Sequence, residues 1–154
     1  KWPNDIVIKG RKVCGMLAEM STERDFIHYV VMGVGINVKQ QEFVPEIADM
    51  ATCLEQECRE PVSRASLVAN VMKSFENCYE RFEQDGNLEG FLEKYNSLLA
   101  GRGGEVRVLD PKGEFQGISR GINKTGELLV ERMDGTLETV YAGEVSVRGI
   151  YGYV

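Results

Sequence analysis

Lys1-Trp2-Pro3-Asn4-Asp5 places a cation, an amide and a carboxylate within five residues, and Arg11-Lys12-Val13-Cys14-Gly15 brings a second lysine back after a short apolar run. The chemistry open to these types is electrostatic: a point positive charge held beside a carboxylate. Pro3 fixes its own φ and biases Trp2 toward extended backbone, so the entry is stiff. Asp5-Ile6-Val7-Ile8 is mostly β-branched and apolar, Lys9-Gly10 is a turn signal, and residues 12–20 read as a returning strand. An even-length loop centred on Lys9-Gly10 sets Val7 opposite Lys12 and Asp5 opposite Cys14. Asp5 and Lys12 then share a face as diagonal neighbours, roughly 7–8 Å apart at the backbone. An odd-length loop would send Lys12 to the other face. By charge pattern alone, such a pair is more often a solvated surface contact of small worth.

The elements that must position these residues come next. Residues 26–38 form a third strand, nearly continuous in apolar character and so expected to be buried on both faces, with Thr22-Glu23-Arg24-Asp25 as the turn before it. Residues 39–58 read as an irregular loop with a turn of helix near 45–48, and a loop of that length is usually functional or mobile. Pro61-Val62-Ser63 opens the clearest helix, capped by Ser63 and stopped by Asp85-Gly86. Leu67, Val68, Val71, Met72, Phe75, Tyr79 and Phe82 mark its apolar stripe, and a second helix over 88–99 buries Leu88, Phe91, Leu92, Tyr95, Leu98 and Leu99; both stripes are expected to be core. Gly101-Arg102-Gly103-Gly104 reads as a hinge, since it follows a helix and precedes a strand, the wrong context for a phosphate cradle. After it come five short strands, with turns at Asp110-Pro111-Lys112-Gly113, Asn123-Lys124-Thr125-Gly126 and Asp134-Gly135, the last a two-residue hairpin signal. They suggest a small barrel.

Composition narrows the classes. The 154 residues suffice for one domain with a core or two small ones, with 43% hydrophobic and 27% charged residues as in ordinary globular chains. No apolar run approaches the roughly 20 residues of a membrane span. A net charge of −6 argues against a nucleic-acid surface. Cys14, Cys53, Cys58 and Cys78 lack metal-site spacing, as does the lone His28, so reduced thiols of a cytoplasmic protein are the expectation. Lys1 reads as the start of a fragment or a processed chain.

In order and spacing, Lys1-Trp2-Pro3-Asn4-Asp5, Lys12-x-x-Gly15 and Gly33-Val34-Gly35-Ile36-Asn37 resemble biotin protein ligases. Gly117-Ile118-Ser119-Arg120-Gly121-Ile122 and Gly143-Glu144-Val145-Ser146-Val147-Arg148 resemble the C-terminal SH3-like domain of that family. The resemblance implies an α+β chain. Residues 1–100 would be the C-terminal part of a class II synthetase-like catalytic domain with a mixed sheet, and residues 101–154 the SH3-like barrel.

The activity implied is that of a biotin–[acetyl-CoA-carboxylase] ligase. Biotin and ATP give biotinyl-5′-AMP and pyrophosphate, and the ε-amine of a lysine on a biotin carboxyl carrier domain then attacks the mixed anhydride. Bringing two anions together demands positive charge that strengthens in the transition state. Lys12 matches the family's catalytic lysine, bridging the biotin carboxylate and the α-phosphate as a point charge. Asp5 matches a carboxylate that could orient the incoming amine, help remove its proton, or hold Mg²⁺ with Asn4. Gly15 would let biotin's chain pass over the sheet. Asn4, Gly33, Gly35 and Asn37 would serve the nucleotide, Phe43 and Ala51-Thr52 would cover the adenine as a lid, and Arg148 would reach the nucleotide from the barrel. A bulge served by the two glycines, with Asn37 as a turn former, is the rival reading for Gly33, Gly35 and Asn37.

The family's Gly-Arg-rich adenylate and biotin loop has no match in these residues, so the chain is expected to supply at most half of a site. Exposed apolar sheet surface and a homodimer are the corollaries. Two alternatives stay open: a lipoyl ligase relative, and a noncatalytic fragment that docks a carrier domain.

Overall fold

The computed structural model describes residues 1–24, 26–143, 145–149 and 153. Asp25 of the expected turn and Glu144 of the expected final motif lie outside the described residues. The fold is α+β, and its contacts separate two units: Pro3–Val62 together with Lys1, and Ser63–Val154 together with Trp2.

Three antiparallel strands build the first unit in the order β1-β2-β3, namely β1 (Asp5–Ile8), β2 (Arg11–Glu23) and β3 (Phe26–Ile36). Lys9 (φ 50) and Gly10 (φ 78) are both left-handed, the signature of the two-residue turn whose twist suits a hairpin. Ile8 pairs with Arg11 and Val7 with Lys12, as an even loop requires. The register then shifts between Ile6 and Val7, so Asp5 faces Gly15 and not Cys14. This is a β-bulge: β2 spends one more residue than β1, which bends the strand and re-aims side chains.

The third strand departs from expectation in burial. Every residue from Phe26 to Gly35 is exposed, with Val31 at 54% and Met32 at 50% on successive, opposite-facing positions. β3 is an edge strand, laddered to β2 alone in its sheet. Its apolar run therefore lies open on both faces.

In the second unit, α2 (Arg64–Asp85) starts and stops where its caps require. Ser63 Oγ accepts from the Ser66 N–H at 3.3 Å, and Gly86 takes the left-handed conformation with φ 64. Its apolar stripe is not core, however. No residue of α2 is buried, and Phe75 and Phe82 keep 45% and 41% exposure. The expected second helix is a 3₁₀ turn at Glu89–Phe91 leading into α3 (Leu92–Leu98), and of its expected buried face only Leu99 is fully buried. Amphipathic spacing fixes which face is apolar; whether a neighbour covers it depends on other elements.

The last five strands are β4 (Glu105–Leu109), β5 (Phe115–Ile122), β6 (Leu128–Glu131), β7 (Leu137–Val140) and β8 (Ser146–Gly149), in the sheet order β7-β6-β5-β4-β8. All five contribute to one core of Val106, Val108, Ile122, Leu128, Val130, Val140 and Val147, which Trp2 and Leu99 complete. Trp2 Nε1 donates to the Gly126 carbonyl at 3.0 Å, which satisfies the indole's one donor. Gly101-Arg102-Gly103-Gly104 is not a free hinge: the Gly103 N–H reaches the Ser119 carbonyl at 2.7 Å, and the Ser119 N–H returns to the Gly104 carbonyl at 3.0 Å. The Asp134-Gly135 loop is one residue longer than expected. Arg132 N–H bonds the Thr136 carbonyl at 2.8 Å around a three-residue loop whose last member, Gly135, has φ 83.

Candidate active site

Polar chemistry in the first unit gathers where the bulge re-aims β2. Lys12 Nζ lies 2.6 Å from Asp5 Oδ1, with the aspartate side chain 13% exposed and the lysine 42%. Gly15 is the floor of this contact. A Cβ there would stand 2.9 Å from both Cε and Nζ of Lys12, and 3.6 Å from the Asp5 carboxylate. The missing side chain thus makes room for the lysine itself. Expected as diagonal neighbours, Asp5 and Lys12 are in direct ionic contact, and the bulge brings Gly15 between them.

The backbone of Lys12 is held from the side away from β1. Its N–H donates to the Met50 carbonyl at 2.7 Å and its carbonyl accepts from the Thr52 N–H at 2.9 Å, a parallel bridge to Ala51. Ala51 and Thr52, read from sequence as part of a lid, are instead buried and fastened to β2. The turns of residues 45–50 deliver this segment, with the Met50 and Ala51 N–H groups both bonding the Ile47 carbonyl. Phe43, in the same loop, is half-buried.

Asn4 and Asn37 prove to be fasteners as well. Asn4 Nδ2 donates to the Met16 carbonyl at 2.7 Å while the Met16 N–H returns to the Asn4 carbonyl at 2.9 Å, pinning the chain ahead of β1 onto β2. Asn37 Nδ2 donates to the Thr52 carbonyl at 3.1 Å, and its backbone bonds Val13 and Leu54. Gly33 and Gly35 lack a positive φ, and a Cβ at either would meet nothing closer than a carbonyl at 3.8 Å. The fold therefore does not itself require glycine at these two positions. Arg148 is exposed on β8 of the second unit, opposite Arg107 in the ladder.

Sequence reasoning missed one residue. Glu57 lies on the five-residue helix α1 (Leu54–Cys58), and its side chain is only 7% exposed. It accepts from Thr52 Oγ1 at 2.8 Å and Arg11 Nη2 at 2.5 Å, and pairs with Lys9 Nζ at 2.9 Å. Hydrogen bonds from Lys9 and Thr52, with the charges of Lys9 and Arg11, hold its carboxyl down at about 2. A helix this short shows no periodicity, and its partners lie up to 48 residues away (57 minus 9). The available signal was Lys9 and Arg11 flanking a turn whose one nearby acid, Asp5, pairs with Lys12. Burial pushes the neighbouring Cys14 thiol up from its ordinary value, which makes it an inert structural thiol.

As a magnesium site the set is poor. Asp5 Oδ1 is already engaged by the Lys12 ammonium, a positive charge that a metal ion bound there would have to displace. Among the described residues, no cluster of three or more His, Cys, Asp or Glu could hold a metal ion.

Comparison with known proteins defines the class first. The biotin/lipoate A/B protein ligase family model matches residues 1–37, and the biotin protein ligase C-terminal domain model matches residues 103–148. The chain is 36% identical over 149 residues to the bifunctional ligase/repressor BirA of Bacillus spizizenii, covering 96% of this chain and 45% of that protein. It is 33% identical over 148 residues to a biotin--[acetyl-CoA-carboxylase] ligase of Mycobacterium tuberculosis, covering 94% of this chain and 51% of that one. Biotin protein ligase from Aquifex aeolicus, solved in apo form and with biotin and ATP, superposes with TM-scores of 0.84 and 0.82 at 30% and 29% identity. Those two matches cover 96% of this chain and 63% and 60% of the solved chains. With both models matched in order, the chain belongs to the biotin protein ligase family. It spans about half the length of the curated relatives it matches.

Proposed function

We propose that this chain carries the Lys12–Asp5 part of a biotin protein ligase site. There biotin is activated by ATP to biotinyl-5′-AMP and passed to a lysine of a carboxyl carrier domain in the cytoplasm. The observation that carries the reading is the Lys12 ammonium, 2.6 Å from Asp5 and free to swing over the bare Gly15 floor. Exposed to 42%, it can leave the aspartate for the biotin carboxylate and the α-phosphate, cancelling their repulsion as the new bond forms. Asp5 is then released next to the anhydride, where a carboxylate can orient the attacking amine and take its proton.

The finer assignments follow from the same reading. Gly15 passes biotin's chain; Asn4, Gly33, Gly35 and Asn37 serve the nucleotide; Mg²⁺ arrives with ATP. Residues 1–100 belong to the catalytic domain and 101–154 to the C-terminal barrel, supported by the family matches at 1–37 and 103–148. The open apolar β3 supports self-association. Biotin is preferred to lipoate because the matched C-terminal domain is the biotin ligases' own.

Calorimetric titration with biotinyl-5′-AMP tests the reading. Binding that Lys12→Ala weakens at least tenfold supports it; binding indifferent to Lys12→Ala overturns the central role of the lysine. Binding of the carrier domain without any of the adenylate points to a docking fragment instead.

A further inference from the structure

We propose that Glu57 is a positioning residue for Lys12. Its carboxylate, acting through Thr52 and Arg11, fixes the backbone from which the lysine's ammonium is delivered to Asp5. The geometry stands apart from any ligand; its importance for catalysis rests on the function proposed above.

Lys12 has a neighbour on each side of its peptide group that ends at Glu57. Arg11, directly before it, puts its guanidinium 2.5 Å from Glu57 Oε1. Thr52, which bonds the Lys12 carbonyl, gives its hydroxyl to the same oxygen at 2.8 Å. Thr52 is fully buried, and its N–H, carbonyl and hydroxyl are all spent, on Lys12, Asn37 and Glu57. Such a residue has no alternative partner, so the loss of Glu57 leaves a buried hydroxyl unsatisfied and the 50–52 segment free to shift. Lys9 closes the ring from the turn at 2.9 Å. The four residues Lys9, Arg11, Thr52 and Glu57 therefore form a bracket around the bulge, with α1 as its anchor.

The bracket matters because the contact it serves is slight. A methyl group at Gly15 would stand 2.9 Å from the Cε and Nζ of Lys12, so the contact with Asp5 depends on where the backbone sets Lys12 against Gly15. Small backbone shifts at a catalytic group are costly in activity out of proportion to their size.

Quantitative lysine labelling with an amine-reactive reagent, read by peptide mass spectrometry, tests the idea without needing ligand. In Glu57→Ala, labelling of Lys12 is expected to rise about two- to fivefold, the factor an exposed ion pair represents. Lys9 should rise through direct loss of its partner, while Lys39 and Lys124 act as unchanged references. Thr52→Val keeps the charges and removes only the buried hydroxyl bond, so it serves if Glu57→Ala unfolds, and it should raise Lys12 but not Lys9. Unchanged Lys12 labelling in folded Glu57→Ala or Thr52→Val overturns the proposal. If the chain binds biotinyl-5′-AMP, Glu57→Ala and Lys12→Ala should also be non-additive in affinity; additive losses would overturn action through Lys12. Raised labelling with no adenylate binding by the unmutated chain leaves the bracket standing and removes the functional reading instead.

Discussion

The two units are held together by different physics. In the second unit, apolar side chains from all five strands converge with Trp2 and Leu99 on one core, and Val108 and Val130 have no exposure at all. In the first, the buried residues are few and small (Val13, Cys14, Val38, Ala51, Thr52 and Cys53), and one carboxylate ties a turn, a strand and a helix together. Its large apolar residues, from Leu17 to Val34, are exposed. The second unit's five strands bury one another's apolar side chains. The first unit's strands keep a polar bracket around Lys12 and leave their apolar surface open, which is where rearrangement costs least.

The sharpest way to break the comparison is to remove core from each unit. Leu128→Ala, at a position 2% exposed, is expected to cost about 2–5 kcal/mol. Val31→Ala, at 54% exposure on β3, should stay within about 0.5 kcal/mol in dilute solution, where no second copy covers the strand. Urea unfolding followed by the single tryptophan reads the second unit, in whose core Trp2 sits, and amide exchange along β2 and β3 reads the first. Equal effects at the two positions would mean that β3 is covered in solution, as the proposed self-association requires; repeating the experiment across protein concentrations would then show it.

What the sequence made legible was local. Lys9-Gly10 carries its own turn geometry, Ser63 and Gly86 cap α2 within one turn, and the Lys12–Asp5 encounter follows from an even loop. What it concealed depended on distant partners. The bulge at Val13 is a property of pairing, invisible in either strand alone. β3 reads as buried because Phe26-Ile27-His28-Tyr29-Val30-Val31-Met32 is apolar, yet exposure is decided by what lies across the sheet. Asn4 and Asn37 also fasten the fold, their amide nitrogens donating to the Met16 and Thr52 carbonyls, and those partners lie 12 and 15 residues away. Glu57 escaped because five helical residues give no pattern and its charged partners, Lys9 and Arg11, are far off in the chain.

Acid should separate the units next. Glu57 has its carboxyl lowered from an ordinary 4.5 to about 2. A depressed folded value means that its contribution is fully present above about 4.5 and is lost as pH falls through about 2. Amide exchange at Lys12 and Thr52, compared at matched pH between the unmutated chain and Glu57→Gln, should differ most above pH 4.5 and converge as the native carboxyl protonates toward pH 2. The Trp2 signal should not follow that difference. A gap that persists undiminished to the lowest pH would show that the carboxyl's charge is not what fastens the segment.

The smallest effect on stability should accompany the most specific effect on the site. In Gly15→Ala the new methyl meets the tip of a flexible lysine and not backbone, so the lysine moves and the sheet stays. Losing the Lys12–Asp5 pair should then cost only about 0.2–1 kcal/mol, the worth of a partly exposed ion pair. Lys12 labelling should nevertheless rise and adenylate binding fall. Gly33→Ala and Gly35→Ala are the controls, since a Cβ at either comes no closer than 3.8 Å to any atom. They should leave Lys12 labelling unchanged, so any loss of adenylate binding in them reports the ligand's own approach to β3. Should Gly15→Ala leave Lys12 labelling as it was, the ammonium does not rest over Gly15 in solution, and the bare floor would be serving the ligand alone.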